Sequence, residues 1–243
     1  MSFTVIIPAR FGSKRLPGKP LLEINKKPLI QIVFEKAINS KAEKVYVASD
    51  HKKILDRCKE FGAAAVNTNS NHLTGTDRIA EVITKLNIKD ESIIVNLQGD
   101  EPFIDPNDIN NVAELLEDRD RINFNMGTLF SDLKTDEEDN PNVVKIWVNK
   151  NRKVKGFSRN KRLLNNQSLL MAKHLGIYSY RASFIKKFVN WDQTKNELSE
   201  NLEQLRALEN NTSIGAIKAL SVDSIGIDTK EDLIKARSMM LDE

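Results

Sequence analysis

Four short apolar runs separated by helical patterns constrain this chain more than any other feature. Residues 3–7, 44–48, 63–66 and 93–97 each have the length and apolar content of a buried strand. Between them, Leu29, Ile32, Val33 and Ala37 recur on one helical face after Pro28. Ile54, Leu55, Cys58 and Phe61 mark a second helix, stopped by Gly62, and Ile79, Val82 and Leu86 mark a third. Thr74-Gly75-Thr76-Asp77 reads as the capping box of that third helix, and Asp105-Pro106-Asn107-Asp108 starts a fourth with an N-cap and a first-turn proline. Such alternation predicts an α/β fold with a doubly wound, mostly parallel sheet, whose ligands bind beyond the carboxyl ends of the strands.

From Asn123 the pattern changes to strands at 123–130, 143–148 and 153–157 with little helix between them, which reads as a smaller sheet extension or lid. The acidic stretch 132–142 is expected to be a surface loop, and the Asn-rich, basic stretch 159–173 a mobile one. A strand at 175–180, helices at 182–189 and about 199–210, and a strand at 214–220 follow. Thr229-Lys230-Glu231-Asp232 caps a final amphipathic helix. The 243 residues suit a single domain, with a core of about 1–122 and 212–243 and a lobe of about 123–211.

The 37 basic residues barely exceed the 34 acidic ones, so a net charge of +3 argues against a nucleic-acid binder while allowing a local basic pocket. A lone Cys58 excludes an internal disulfide, and with only three histidines a structural zinc site is not expected. No run is long enough to span a bilayer or to act as a signal peptide, so the expected compartment is the cytoplasm.

The first strand empties into Arg10-Phe11-Gly12-Ser13-Lys14-Arg15-Leu16-Pro17-Gly18-Lys19-Pro20. Four cations, a serine and two glycines, whose backbones reach angles closed to other residues, read as a loop for a polyphosphate, or else as a solvated basic turn. It is neither a Walker loop nor a Gly-x-Gly-x-x-Gly turn. Asp100 follows the most apolar strand and Asp228 lies in a similar position. Brought to one pocket they would suit Mg²⁺, a hard cation that takes one or two protein carboxylates. Taken singly, Asp100 also fits a turn and Asp228 the N-cap of the last helix.

The loop from Ile7 to Leu21 closely resembles the nucleotide loop of 3-deoxy-manno-octulosonate (Kdo) cytidylyltransferases, the CMP-Kdo synthetases. Sialic-acid cytidylyltransferases have a related loop with glycines where this one has Phe11 and Arg15-Leu16. Gln98-Gly99-Asp100-Glu101-Pro102, Gly226-Ile227-Asp228-Thr229, His174-Leu175-Gly176-Ile177-Tyr178 and Leu202-Glu203-Gln204-Leu205-Arg206 also resemble the family's motifs, in its order. The resemblance spans nearly the whole chain.

The resemblance implies a Rossmann-like nucleotidyltransferase fold whose extension serves sugar binding and dimerisation. It implies CTP and an eight-carbon keto-sugar acid as substrates, CMP-Kdo and pyrophosphate as products, a role in lipopolysaccharide biosynthesis and a homodimer. It implies that Asp100 and Asp228 hold the catalytic Mg²⁺, that Arg10 and Lys19 contact the triphosphate with Ser13 beside them, and that Thr74, Gly75 and Asp77 lie near the nucleotide. Arg78 and Gln98 would stand where nucleotide and sugar meet, and Arg159, His174, Tyr178, Glu203 and Gln204 would line the sugar-acid site, with Arg159 answering the carboxylate. Read as residues alone, Tyr178 also fits a packed core, Glu203 and Gln204 a solvated helix face, and His174 a structural hydrogen bond. His51 and His72 are expected to be loop residues near the nucleotide. The segment 160–173 is shorter than in many members, leaving Arg162 as a candidate for a missing cation, and Leu208-Glu209-Asn210-Asn211 replaces an aromatic pair. Both changes fall on the sugar and dimer side, so the same chemistry on an 8-amino analogue or a sialic-acid-type sugar, or a non-catalytic nucleotide-binding module, stands as the alternative.

Overall fold

The computed structural model describes residues 2–13, 15–117, 123–161, 168–221 and 225–240, so Lys14 and Arg162 lie outside the described residues. In chain order the elements are β1 (Phe3–Ala9), the two-residue β2 (Glu23–Ile24) and β3 (Lys27–Pro28), α1 (Leu29–Ile38), β4 (Lys44–Ser49), α2 (Lys52–Glu60), β5 (Ala64–Asn67), α3 (Gly75–Lys85), β6 (Ile93–Asn96) and α4 (Pro106–Glu114). Then come β7 (Met126–Ser131), β8 (Lys145–Val148), β9 (Val154–Ser158), β10 (Leu170–Arg181), α5 (Ala182–Phe188), α6 (Lys195–Glu200), α7 (Gln204–Glu209), β11 (Ile214–Lys218) and α8 (Lys230–Met239).

Among the described residues, nine strands form one sheet, in the order β11-β7-β10-β6-β1-β4-β5, with β8 attached to β10 and β9 to β8. β5, β4, β1 and β6 run parallel, as the alternation predicts. β10 runs antiparallel to β6, β7 and β8, which makes the sheet mixed. The chain steps outward from β1 to β4 and β5, then returns to β6 on the other side of β1. That reversal leaves a crevice at the carboxyl ends of β1 and β6, the ligand position of open α/β sheets.

Both sheet faces are covered. Val5 and Ile7 pack into one core with Leu29 and Val33 of α1, while Ile6 points into the other with Ile79 and Val82 of α3. Period-two alternation between two apolar layers explains why β1 reads as a continuous hydrophobic run. Cys58 is fully buried in the first core, and burial pushes its thiol up to about 12.

Three expectations need correction. The helix over 199–210 is two helices, because Thr194 starts α6 early with a capping box to Glu197 and Asn201 then turns left-handed at φ 51°. Asn tolerates that conformation and so ends helices. Of the stretch 159–173 the described ends are held, since Leu170 to Lys173 pair with β8 and the Arg159 amide donates to Glu200 Oε2 at 2.8 Å, while 162–167 lie outside the described residues. Gly12 has no left-handed backbone, so of the loop's two glycines only Gly18, at φ 68°, uses that freedom.

Candidate active site

A cavity of about 630 Å³ opens beyond β1 and β6. Of the residues singled out in the sequence, Arg10, Ser13, Lys19, Thr74, Gly75, Arg78, Gln98, Asp100, Glu203 and Asp228 line it. Asp77, Arg159, His174, Tyr178 and Gln204 do not.

The basic loop is pinned from within, although Arg10 and Arg15 are exposed. Leu16 is buried, its amide donates to Ser13 Oγ at 3.2 Å, and the Gly18 amide donates to Phe11 O at 3.2 Å. The Phe11 ring stacks on His51 with centroids 3.9 Å apart and lies beside Gly18. Only a residue free at φ 68° turns the chain here without strain. That turn delivers Lys19, whose Nζ donates to Asp100 Oδ2 at 2.6 Å and to Asp228 Oδ1 at 2.9 Å. Arg15 Nη2 donates to the other Asp228 oxygen at 2.8 Å. Burial alone would lower the Lys19 ammonium, but the two carboxylates outweigh it and raise its pKa. For Asp228 burial works upward, and Lys19 and then Arg15 carry it below the usual carboxylate range.

Asp100 lies in a turn, and for Asp228 the structure removes the N-cap alternative. Thr229, not Asp228, caps α8, since its hydroxyl accepts from the Asp232 amide and the Asp232 side chain answers it. The Asp228 carboxylate is thereby left to the cavity. The Ile227 amide donates to Asp100 O at 2.9 Å, fastening the two acidic turns together. A Cβ on Gly99 would stand 3.0 Å from Pro8 O, so glycine lets the turn bearing Asp100 lie against β1. Two hard oxygen donors converging on one positive charge fit a Mg²⁺ ion, which takes its other ligands from water and phosphate. Among the described residues no third carboxylate, histidine or cysteine completes a protein-only metal cage.

At the start of α3 the Thr74 hydroxyl accepts from the Asp77 amide, and the Asp77 carboxylate accepts from the Thr74 amide, both at 3.1 Å. Asp77 thus holds the helix start, with Thr74 and Gly75 exposed to the cavity. Arg78 is 3% exposed and committed: it donates to Asp50 Oδ2 at 2.9 Å, to Asn69 O at 3.3 Å and to the Thr68 hydroxyl. His72 lines the cavity and its Nε2 lies 2.6 Å from Glu81 Oε2. Burial would raise Glu81, but Lys85, the Asn69 amide and His72 together bring it down to about 2.

On the β10 side, Gln98 donates to Asn96 Oδ1 at 2.8 Å, and Asn96 donates to the Tyr180 hydroxyl at 3.2 Å. Phe157, His174, Tyr178, Tyr180 and Phe184 form a run of ring contacts with centroids 5.0 to 6.1 Å apart. Thr128 spends its hydroxyl proton on Ile177 O at 2.8 Å, so His174 Nε2, 3.0 Å from the same oxygen, is the donor of that pair. His174 is therefore the Nε2–H tautomer, and burial lowers its pKa to about 3. Gln204 is buried in the first turn of α7. Its neighbour Glu203 turns to the cavity with Oε1 buried and without a hydrogen-bond partner, and burial raises it to about 7 against the pull of the Thr76 and Thr74 hydroxyls.

Arg159 sits apart, with its Nε on Glu200 O at 2.8 Å and its Nη1 on Pro141 O at 3.0 Å. Sequence reasoning missed the Arg15–Asp228 pair and the wall residues Gln193, Glu197 and Asn201. Thr194-x-x-Glu197 was the available signal, a capping box that marks where that wall begins.

Comparison with known proteins agrees in sequence and in fold. A cytidylyltransferase family model matches residues 4–214. The chain is 47% identical to a 3-deoxy-manno-octulosonate cytidylyltransferase of Haemophilus influenzae strain PittEE, over 99% of each chain. It is 45% identical to 3-deoxy-manno-octulosonate cytidylyltransferase 1 of Actinobacillus pleuropneumoniae serotype 5b, over 99% of this chain and all of that one. A solved CMP:2-keto-3-deoxy-manno-octonic acid synthetase in complex with CTP superposes with a TM-score of 0.90 at 34% identity, covering 99% of this chain and 98% of that one.

Proposed function

The chain belongs to the cytidylyltransferase family, and from that premise we propose that it couples CTP to Kdo, releasing CMP-Kdo and pyrophosphate, a step that supplies lipopolysaccharide assembly. The observation that carries this reading is the basic loop delivering Lys19 between Asp100 and Asp228 at the carboxyl ends of β1 and β6. Full-length likeness to Kdo cytidylyltransferases favours Kdo over a nonulosonate or an 8-amino analogue. The intact pair of acids and the intact basic loop disfavour a purely binding module.

In this reading the anomeric hydroxyl attacks the α-phosphorus in line, and the bond to the bridging oxygen breaks as pyrophosphate leaves. Arg10 and Lys19 neutralise the charge that grows on the departing group, with Ser13 and loop amides beside them. Thr74 and Gly75 orient the nucleotide, and Gln98 orients the reacting ends. Glu203, Gln204, His174 and Tyr178 shape the sugar side, where a neutral His174 with Nε2 occupied keeps Nδ1 as an acceptor. Asp100 and Asp228 would hold Mg²⁺, which when bound acidifies the attacking hydroxyl and neutralises phosphate charge. Arg159 answers the sugar carboxylate only after leaving the carbonyls of Glu200 and Pro141. A homodimer in the cytoplasm belongs to the same reading, and sedimentation tests the dimer.

The test is pyrophosphate release from CTP and Mg²⁺ with Kdo, beside the 8-amino analogue and N-acetylneuraminate. Release with Kdo at the highest kcat/KM supports the assignment. Faster release with either rival reassigns the sugar, and silence with all three from folded, CTP-binding protein overturns the reading.

A further inference from the structure

The space between Asp100 and Asp228 holds a positive charge supplied by the chain itself. Lys19 Nζ lies within hydrogen-bond distance of one oxygen on each, and its side chain is only 14% exposed. We propose that Lys19 is a resident counter-cation of the divalent-metal site, so that the metal gains both aspartates only when the triphosphate of CTP draws Lys19 away. The inference rests on the CTP and metal reading above and adds to it an obligatory coupling between nucleotide and metal.

Three features carry it. A primary ammonium and a divalent cation compete for the same carboxylate oxygens, and here two carboxylates hold one part-buried ammonium. The Lys19 stem springs from a pinned loop, one residue after Gly18, so its tip moves by side-chain rotation without refolding the loop. A triphosphate in the cavity offers that tip more negative charge than two aspartates do. Arg15 does not share the role, since it reaches only Asp228 and is 63% exposed, so solvent screens it. By linkage, whatever CTP gains by taking Lys19 appears as tighter metal binding, and the reverse holds equally.

Mn²⁺ serves as the spectroscopic probe, titrated without nucleotide and followed by electron paramagnetic resonance. Lys19→Met is expected to bind Mn²⁺ at least about tenfold more tightly than the wild type, and adding Asp100→Asn to it is expected to abolish the gain. Equal or weaker Mn²⁺ binding by folded Lys19→Met overturns the proposal. The wild type supplies a second measurement that does not depend on how the variant folds. In a crystal structure with CTP and Mg²⁺, Lys19 Nζ is expected on phosphate oxygens, and Lys19 still bridging both aspartates there overturns the proposal. Kdo-dependent pyrophosphate release by the wild type keeps the two readings apart. Turnover with unchanged Mn²⁺ affinity in Lys19→Met sinks the coupling alone, whereas no turnover with any sugar acid sinks the functional reading.

Discussion

The Arg206 guanidinium grips both carboxylate oxygens of Glu197, Nε to Oε2 at 2.9 Å and Nη2 to Oε1 at 2.5 Å, with each side chain 4% exposed. Arg206 also lies over the Phe188 ring, 4.5 Å from its centroid. Glu197 also completes the capping box that Thr194 opens at the start of α6, so one buried pair ties α6, α7 and α5 together at the cavity wall that carries Glu203. Burial works to raise Glu197, and the bonds from Arg206 hold it below the usual carboxylate range.

Arg206→Ala leaves a buried carboxylate unpaired and is expected to cost about 3–5 kcal/mol of unfolding free energy. Arg206→Lys recovers only part of this, because an ammonium lacks the two-pronged geometry. Urea denaturation at pH 7.5 measures both. The native carboxylate is depressed, so its contribution is complete at neutral pH and is lost as pH falls, and the gap between wild type and Arg206→Ala narrows in acid. An unchanged midpoint at neutral pH overturns the structural role.

Glu203 has the opposite sign. Its native pKa is raised to about 7 by burial, so over the range between the ordinary carboxylate value and pH 7 the unfolded chain loses the proton while the folded one keeps it. Stability therefore falls as pH rises through that window. Glu203→Gln removes the penalty and is expected to match the wild type near pH 4.5 and to exceed it by about 2–3 kcal/mol at pH 8. Substrate-free protein is the right sample. Parallel pH profiles for the two proteins would mean that Glu203 is ionised at neutral pH.

His174 is expected to stay neutral. Its pKa of about 3 means that below the ordinary histidine value the unfolded state takes up a proton that the folded state refuses. Stability is therefore lost as pH falls across that window. The imidazole Cε1–H resonance, assigned by its loss in His174→Gln, should not titrate between pH 5 and 8. A midpoint near 6.5 would show that the ring is solvated.

The elements that nucleate locally were legible in the sequence. Thr74, Asp105 and Thr229 cap their helices as the residue pattern predicts, and β1 and β6 follow from apolar runs alone. What escaped depends on distant partners. The direction of β10 is set by pairing Tyr178 with Asn96 on one side and Thr128 on the other, and no local signal encodes that. Arg159 meets Glu200 forty-one residues away and its side chain is spent on carbonyls, whereas the family resemblance implied an answer to a carboxylate. The candidate site lies between these cases. Lys19, Asp100 and Asp228 were singled out by motif, but their meeting across 81 and 209 residues of chain is a property of the sheet.

That meeting gives two substitutions with separable kinetics. Asp100 is partly exposed and Lys19 keeps Asp228 when it is lost, so Asp100→Asn is expected to melt close to the wild type. Its kcat should fall by at least about 100-fold, since an interaction aimed at transition-state charge is removed. Lys19→Ala removes a group that holds the triphosphate before the reaction as well as during it, so its first effect is a higher KM for CTP, by about tenfold or more. Steady-state rates at saturating Mg²⁺ and Kdo, with CTP varied, distinguish the two. Near-normal turnover by Asp100→Asn at limiting Mg²⁺ would remove Asp100 from the metal site, and an unchanged KM for CTP in Lys19→Ala would remove Lys19 from the triphosphate.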